Sequence, residues 1–371
     1  MKKKSVIKEY DVVRVIATLL VIIGHSNFWN IVTNGYGGIN YQTNLLAIGE
    51  CEPIAHKIIG IMITMIYSFH MPLFIALSGA LFKLQISQYQ EQSLGLLVRK
   101  KAKRLIVPFI LVNSFYAIPL KAIVHYFQGT NYFKSIFIGQ YLLQGNTHLW
   151  YLPSLFLIFF VMSVVETKVP GKIITKLIAY FMLNIFSHLI EISLLEYVLR
   201  YCLWFYVGFC FENIRGYVNR RINIRNATKC CVVFLVIFFL KRFIEHYSIN
   251  RIIIKIIICI IEIILALIGC FTCYTICYLL GRNHRIINSK SYRVLLKNSY
   301  ELYLYSDSIN YVILYIFFMC KGYVGFSSNI MAVVLFGIRI IFSDIGALLV
   351  NWIVRKIKNI IIKRKFVNCK C

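Results

Sequence analysis

Tyr10-Asp11-Val12-Val13-Arg14 opens an apolar run that closes on Gly24-His25-Ser26-Asn27. The run predicts a hydrophobic helix with an arginine near its start and a histidine near its far end. Arg14 and His25 are eleven residues apart, about three turns at 3.6 residues per turn. Both side chains therefore leave one stripe of the helix, roughly 16 Å apart in height. Such residues on a greasy helix are costly to expose to lipid, so they are expected to face a protein interior or a water-filled cavity and to work there. The plainer alternative is a snorkelling arginine and a histidine that only bonds a neighbouring helix.

The rest of the chain gives this helix a membrane setting. Hydrophobic residues make up 59% of the sequence, and the mean hydropathy is +0.72. A soluble domain of this length does not have that composition. The net charge of +27 would suit nucleic acid, but the basic residues fall in short clusters between apolar runs, where they set membrane orientation. Met1-Lys2-Lys3-Lys4 resembles the start of a signal peptide. The run that follows is long, lacks a small-residue cleavage site and carries Arg14 and His25, so it reads as a retained first span. The twelve cysteines are scattered, and Cys270-x-x-Cys273 lies inside an apolar run, so no metal site is expected.

The ~20-residue criterion for a spanning helix gives about ten spans. They fall near 12–30, 58–82, 105–127, 149–165, 173–190, 195–214, 230–247, 252–280, 299–320 and 330–354. The expected fold is all-α and polytopic, a single membrane domain over 1–371. Lys2, Lys3, Lys4 and Lys8 precede the first span. Arg99, Lys100, Lys101, Lys103 and Arg104, then Arg220, Arg221 and Arg225, then Arg282, Arg285, Lys290 and Arg293 lie between later spans, and Arg355 to Lys370 close the chain. With ten spans these all fall on one side. The other side carries little more than Lys57, Lys134, Lys241, Arg242, Arg251 and Lys321. That asymmetry puts both termini in the cytoplasm.

Four more stretches hold polar groups where lipid would disfavour them. Ser68-Phe69-His70-Met71-Pro72-Leu73-Phe74, with Ser78-Gly79, has a proline that frees a backbone carbonyl, and a kinked packing helix is its simplest reading. Lys101 and Arg104 share a face at the cytoplasmic mouth of the third span, suited to phosphates or to anionic lipid. His148-Leu149-Trp150-Tyr151-Leu152-Pro153 opens the fourth span; an interfacial belt accounts for Trp150 and Tyr151 better than for His148. In the ninth span, Glu301 and Asp307 are six residues apart and share a face poorly. Arg339, Asp344, Glu262 and Arg200 are candidate partners for them, and structural pairing competes with substrate binding as their role.

Together these stretches resemble the acyltransferase-3 family of integral membrane O-acyltransferases, similar to sugar and polysaccharide O-acetylases. The resemblance rests on Asp11-x-x-Arg14-x10-His25, the stretch Ser68 to Phe74 with Ser78-Gly79, Lys101-x-x-Arg104-Leu105 with Pro108, and His148 to Pro153. Asn298-Ser299 with Leu302-Tyr303-Leu304 extends it into the ninth span. Lys101 stands where the family usually has arginine, Ser306 and Ser308 replace a histidine and a proline, and Glu301 takes a commonly small position.

The resemblance implies transfer of an acyl group, most often acetyl, from acetyl-CoA to a sugar hydroxyl of a cell-surface polysaccharide or its lipid-linked precursor, in a bacterial inner or plasma membrane. It implies a stand-alone catalyst without an appended esterase domain. Arg14, Lys101 and Arg104 would then hold the donor. His25 suits a general base or an acyl carrier, with Asp11 orienting Arg14 and His70 assisting. His148, Trp150, Glu301 and Asp307 would line the acceptor site. The expected partners are the bilayer and a carbohydrate acceptor, not nucleic acid, and a homo-oligomer is left open. The rival reading is a glycan transporter or flippase, which needs cations and interfacial aromatics but neither CoA nor His25.

Overall fold

Apolar chain in a lipid environment has to satisfy its own backbone polar groups, and this chain does so with helices. The computed structural model describes residues 7–42, 53–86, 94–145, 147–247, 252–322, 324 and 327–368. Lys2, Lys3, Lys4, Arg251 and Lys370 lie outside the described residues. Helix α1 spans Lys8–Gly24, α2 Ile54–Tyr67, α3 His70–Lys83, α4 Leu94–Val112, α5 Ile118–Ile123, and α6 Tyr151–Lys168. Then follow α7 Ile173–Ser187, α8 Ser193–Arg221, α9 Ile224–Tyr247, α10 Ile252–Gly281, α11 Lys290–Met319 and α12 Ser328–Asn368.

Each apolar run becomes a helix or a pair of end-to-end helices, giving an all-α polytopic membrane protein. Among the described residues, seven segments are long and apolar enough to cross a bilayer. α1, at 17 residues, and α7, at 15, are shorter than those seven. α9 carries Arg225, Lys229, Lys241, Arg242 and Glu245 along its length and is not one of the seven either. The loop after α1 holds a hairpin that the hydropathy pattern does not announce. Strand β1, Asn30–Thr33, pairs antiparallel with β2, Gly37–Asn40, across a turn in which Gly35 and Gly37 take φ of +83° and +112°.

Prolines set the breaks. The second run divides at Ser68 and Phe69 rather than at Pro72 itself. Pro72 has no N–H for the Ser68 carbonyl, and its ring crowds that carbonyl, so the ladder fails four residues upstream. Pro108 does the same to Arg104 within α4, and there the Tyr300 hydroxyl donates to the Arg104 carbonyl at 2.8 Å. Just beyond Pro108 the chain loosens into a π-turn over Asn113–Ala117 before α5.

α1 packs against α3, α10 and α11. Its start is locked to α8: Arg215 reaches Glu9 at 2.6 Å and Glu212 at 3.0 Å, and the Tyr10 hydroxyl donates to Glu212. α3 and α8 meet backbone to backbone. A Cβ on Gly208 would fall on the Ala76 carbonyl, and one on Gly79 on the Phe205 carbonyl. Small residues permit that approach where lipid supplies no hydrophobic drive between helices.

Candidate active site

α1 ends at Gly24, and His25 caps it, its own N–H bonded to the Val21 carbonyl at 3.0 Å. That position frees the ring to turn sideways onto α11. There Nδ1 of His25 lies 3.0 Å from one carboxylate oxygen of Asp307. The other oxygen lies 3.0 Å from Nδ1 of His148. His148 sits on the short turn before α6, and its Nε2 is 3.2 Å from the Leu304 carbonyl. The Tyr303 hydroxyl donates to the His148 carbonyl at 2.6 Å. Asp307 and His148 are buried, while a quarter of the His25 side chain stays accessible.

The two histidines therefore differ chemically. Both nitrogens of His148 face protein oxygens and its side chain is buried, so neither is open to a substrate. His25 is held through Nδ1 alone, and Nε2 is left for proton transfer.

Around this pair the backbone is fixed by a residue from α12. Arg339 is fully buried and donates to the Phe28 carbonyl at 2.6 Å and the His25 carbonyl at 3.2 Å. Its Nε donates to Asn310 at 3.3 Å, and its guanidinium lies 4.2 Å from the centre of the Phe28 ring. It thus plugs the carbonyl end of α1 with positive charge, where the helix dipole favours it. Tyr67 closes the opposite flank. Its hydroxyl donates to the Gly24 carbonyl at 2.9 Å, and its ring stands edge-on to His25 at 6.3 Å. Gly24 leaves room for that ring, since a Cβ there would lie 2.8 Å from it.

Three turns below His25, a cavity of about 350 Å³ opens among α1, α3, α4, α6 and α11. Arg14, Lys100, Lys101 and Arg104 line it. Asp11 pairs with Arg14 at 3.4 Å, as its spacing implies, and Lys101 Nζ lies 3.4 Å above the Phe159 ring. The same cavity is lined by Tyr151, hydrogen-bonded to Ser78 at 3.1 Å, and by Tyr303. Tyr303 belongs to both levels: it lines the cationic cavity and bonds to His148, one helical turn before Asp307.

Not every residue singled out from sequence reaches this centre. His70 is buried beside Tyr67, its Nδ1 3.0 Å from the Ile66 carbonyl, and its ring lies 5.0 Å from Tyr67. Trp150 stacks on Tyr201 and packs on Tyr197, one face of a side aromatic cluster. Glu301 pairs with Arg355 at 3.0 Å, away from Asp307, as six-residue spacing on a helix requires. Of the expected partners for these acids, Arg200 pairs with Glu196 and Glu262 with Lys241, while Arg339 holds backbone carbonyls. The histidine that shares Asp307 with His25 is His148, which its poor fit to an aromatic belt and the family resemblance single out in the sequence, but as an acceptor-site residue. Tyr67 had no sequence signal, and Arg339 appeared only as a candidate partner for Glu301 and Asp307.

Residues 7–352 match the Acyl_transf_3 family model, an acyltransferase domain, and the chain belongs to that family. It is a multi-pass membrane protein of an acyltransferase family. No match was found among curated proteins or among solved structures.

Proposed function

We propose that this protein is an O-acyltransferase of the plasma (inner) membrane of a bacterium. It takes an acyl group, acetyl first of all, from cytoplasmic acetyl-CoA and places it on a sugar hydroxyl of a cell-surface polysaccharide or its lipid-linked precursor. The observation that carries this reading is Asp307 holding His25 through Nδ1, with Nε2 left for the acceptor. As the acceptor oxygen attacks the thioester carbonyl, Nε2 takes its proton. A carbon–oxygen bond forms, the carbon–sulfur bond breaks, and the proton passes to the departing thiolate. Asp307 keeps the ring in one tautomer and stabilises it while charged.

The donor's phosphates belong with Arg14, Lys101 and Arg104, which converge on one cavity and combine forked with point-charge recognition. The Lys/Arg asymmetry of the loops puts that cavity on the cytoplasmic side, with both termini. An elongated donor entering there spans the roughly three turns from Arg14 to His25 and meets the Tyr151–Tyr303 level on the way. His70 supports the site from behind Tyr67.

The test supplies membranes containing the protein with labelled acetyl-CoA and follows label into glycan. Incorporation that vanishes in His25→Ala supports the assignment. Full incorporation by that variant removes His25 from the mechanism, and glycan movement without CoA dependence would favour a transporter.

A further inference from the structure

Two more cavities lie on the far side of α3 from the donor cavity, stacked along the seam between α8 and α10. The inner one is about 510 Å³ and the outer about 280 Å³. Trp204 lines both. Three helices trace the seam in the same direction. On α8 the lining passes from Arg200 and Tyr201 to Val207 and Phe211; on α10 it passes from Glu262 to Leu267 and Phe271; on α3 it passes from Pro72 to Ala76 and Ala80. The inner part runs from Trp204 to Val218, about 21 Å at 1.5 Å per residue, and its walls are almost wholly apolar.

The outer cavity has a different chemistry. Lys241 lies 2.8 Å from Glu262, and Arg200 lies 2.6 Å from Glu196 and 3.0 Å from His188. Each cation already has a carboxylate, so the rim offers alternating donors and acceptors rather than a bare positive charge. Beside them stand the flat rings of Tyr201 and Trp204. Aromatic faces next to paired donors and acceptors suit a polyhydroxylated head, and an apolar trench suits a hydrocarbon chain. Tyr67 also lines the outer cavity, and the edge of its ring faces His25.

We propose that the α8–α10 seam binds a glycolipid, with its saccharide in the outer cavity and its chain in the inner one, so that the acceptor hydroxyl reaches His25 on a lipid carrier. The proposal rests on the acyltransfer reading for its consequence, but the binding itself does not need it. Leu77 lies in the wall common to the seam and the donor cavity, so donor and acceptor chains approach from opposite faces of α3.

The full chain is placed in phosphatidylethanolamine–phosphatidylglycerol vesicles with an alkyl glycolipid that carries a diazirine on its chain. Phosphatidylcholine with the same diazirine chain serves as the comparison. After illumination, labelled peptides are mapped by mass spectrometry. The glycolipid is expected to label α8 and α10 peptides of the seam about tenfold more than the phosphatidylcholine, the effect of roughly one charge-assisted hydrogen bond. Lys241→Gln should lower that labelling about tenfold. Leu267→Trp should do the same by filling the trench, and since Leu267 is about half exposed the variant keeps the fold. Equal labelling by the two lipids, or labelling indifferent to Leu267→Trp, overturns the proposal. Seam labelling of an unmodified protein that moves no acetyl group from acetyl-CoA to glycan would leave the site standing and remove the acyltransfer reading instead.

Discussion

The carboxylate of Asp307, deep in α11, lies 3.0 Å from Nδ1 of His25 at the end of α1. The contact joins the first helix of the chain to one of its last. It also decides which nitrogen of His25 is available. Asp307→Ala is therefore expected to lower acetyl transfer about a hundredfold or more, the usual range for losing general-base catalysis. The membrane assay with labelled acetyl-CoA measures it. Transfer within threefold of the unmodified protein would separate Asp307 from the chemistry.

The cationic cavity should govern donor affinity and not turnover. Arg104→Gln and Lys101→Gln each remove one charge from a wall that already holds Arg14. Each is expected to raise the KM for acetyl-CoA about tenfold, the worth of one charge-assisted contact, with kcat nearly unchanged. Added salt should weaken the unmodified protein in the same direction, because the cavity opens to solvent. Initial rates across donor concentration distinguish this from a collapse of kcat.

Arg339 is a test of stability before activity. Arg339→Met leaves the carbonyls of Phe28 and His25 without their donors in a buried place. The expected cost is about 3 kcal/mol. Thermal unfolding in detergent should show a lowered midpoint. Arg339→Lys should recover only part of it, because one ammonium cannot fork to two carbonyls and Asn310 together.

Gly208 marks the tightest helix contact. Gly208→Val would drive a side chain into the Ala76 carbonyl, and neither backbone can move without unseating the other. The variant is expected to express poorly or elute as aggregate in size-exclusion chromatography. Gly216→Ala on the same helix meets nothing within 4 Å and serves as the tolerated control.

The hydropathy pattern gives the helices and their order closely, since backbone satisfaction in lipid leaves a long apolar run little else to do. The Arg14–His25 stripe is legible for the same reason: helical periodicity is local, and both residues do face α11 and its neighbours. Lys101 and Arg104 join Arg14 in one cavity, which their shared helix face foreshadows. Pro72 announces a kink in the second run, and the structure puts the break at Ser68 and Phe69, because a proline acts on the carbonyl four positions back. The β1–β2 hairpin was missed because its strands are only four residues long, with glycines at the turn.

What the sequence determined by itself, then, is a greasy helical chain, its basic clusters and the stripe that carries Arg14 and His25, all consequences of interactions within a few turns. Only the tertiary structure decided that Asp307 serves both His25 and His148, that Glu301 belongs to Arg355, and that Arg339 closes α1. Those choices depend on which helices become neighbours. Helix neighbours are set by close packing at residues such as Gly79 and Gly208, whose effect is felt across space and leaves no period along the chain.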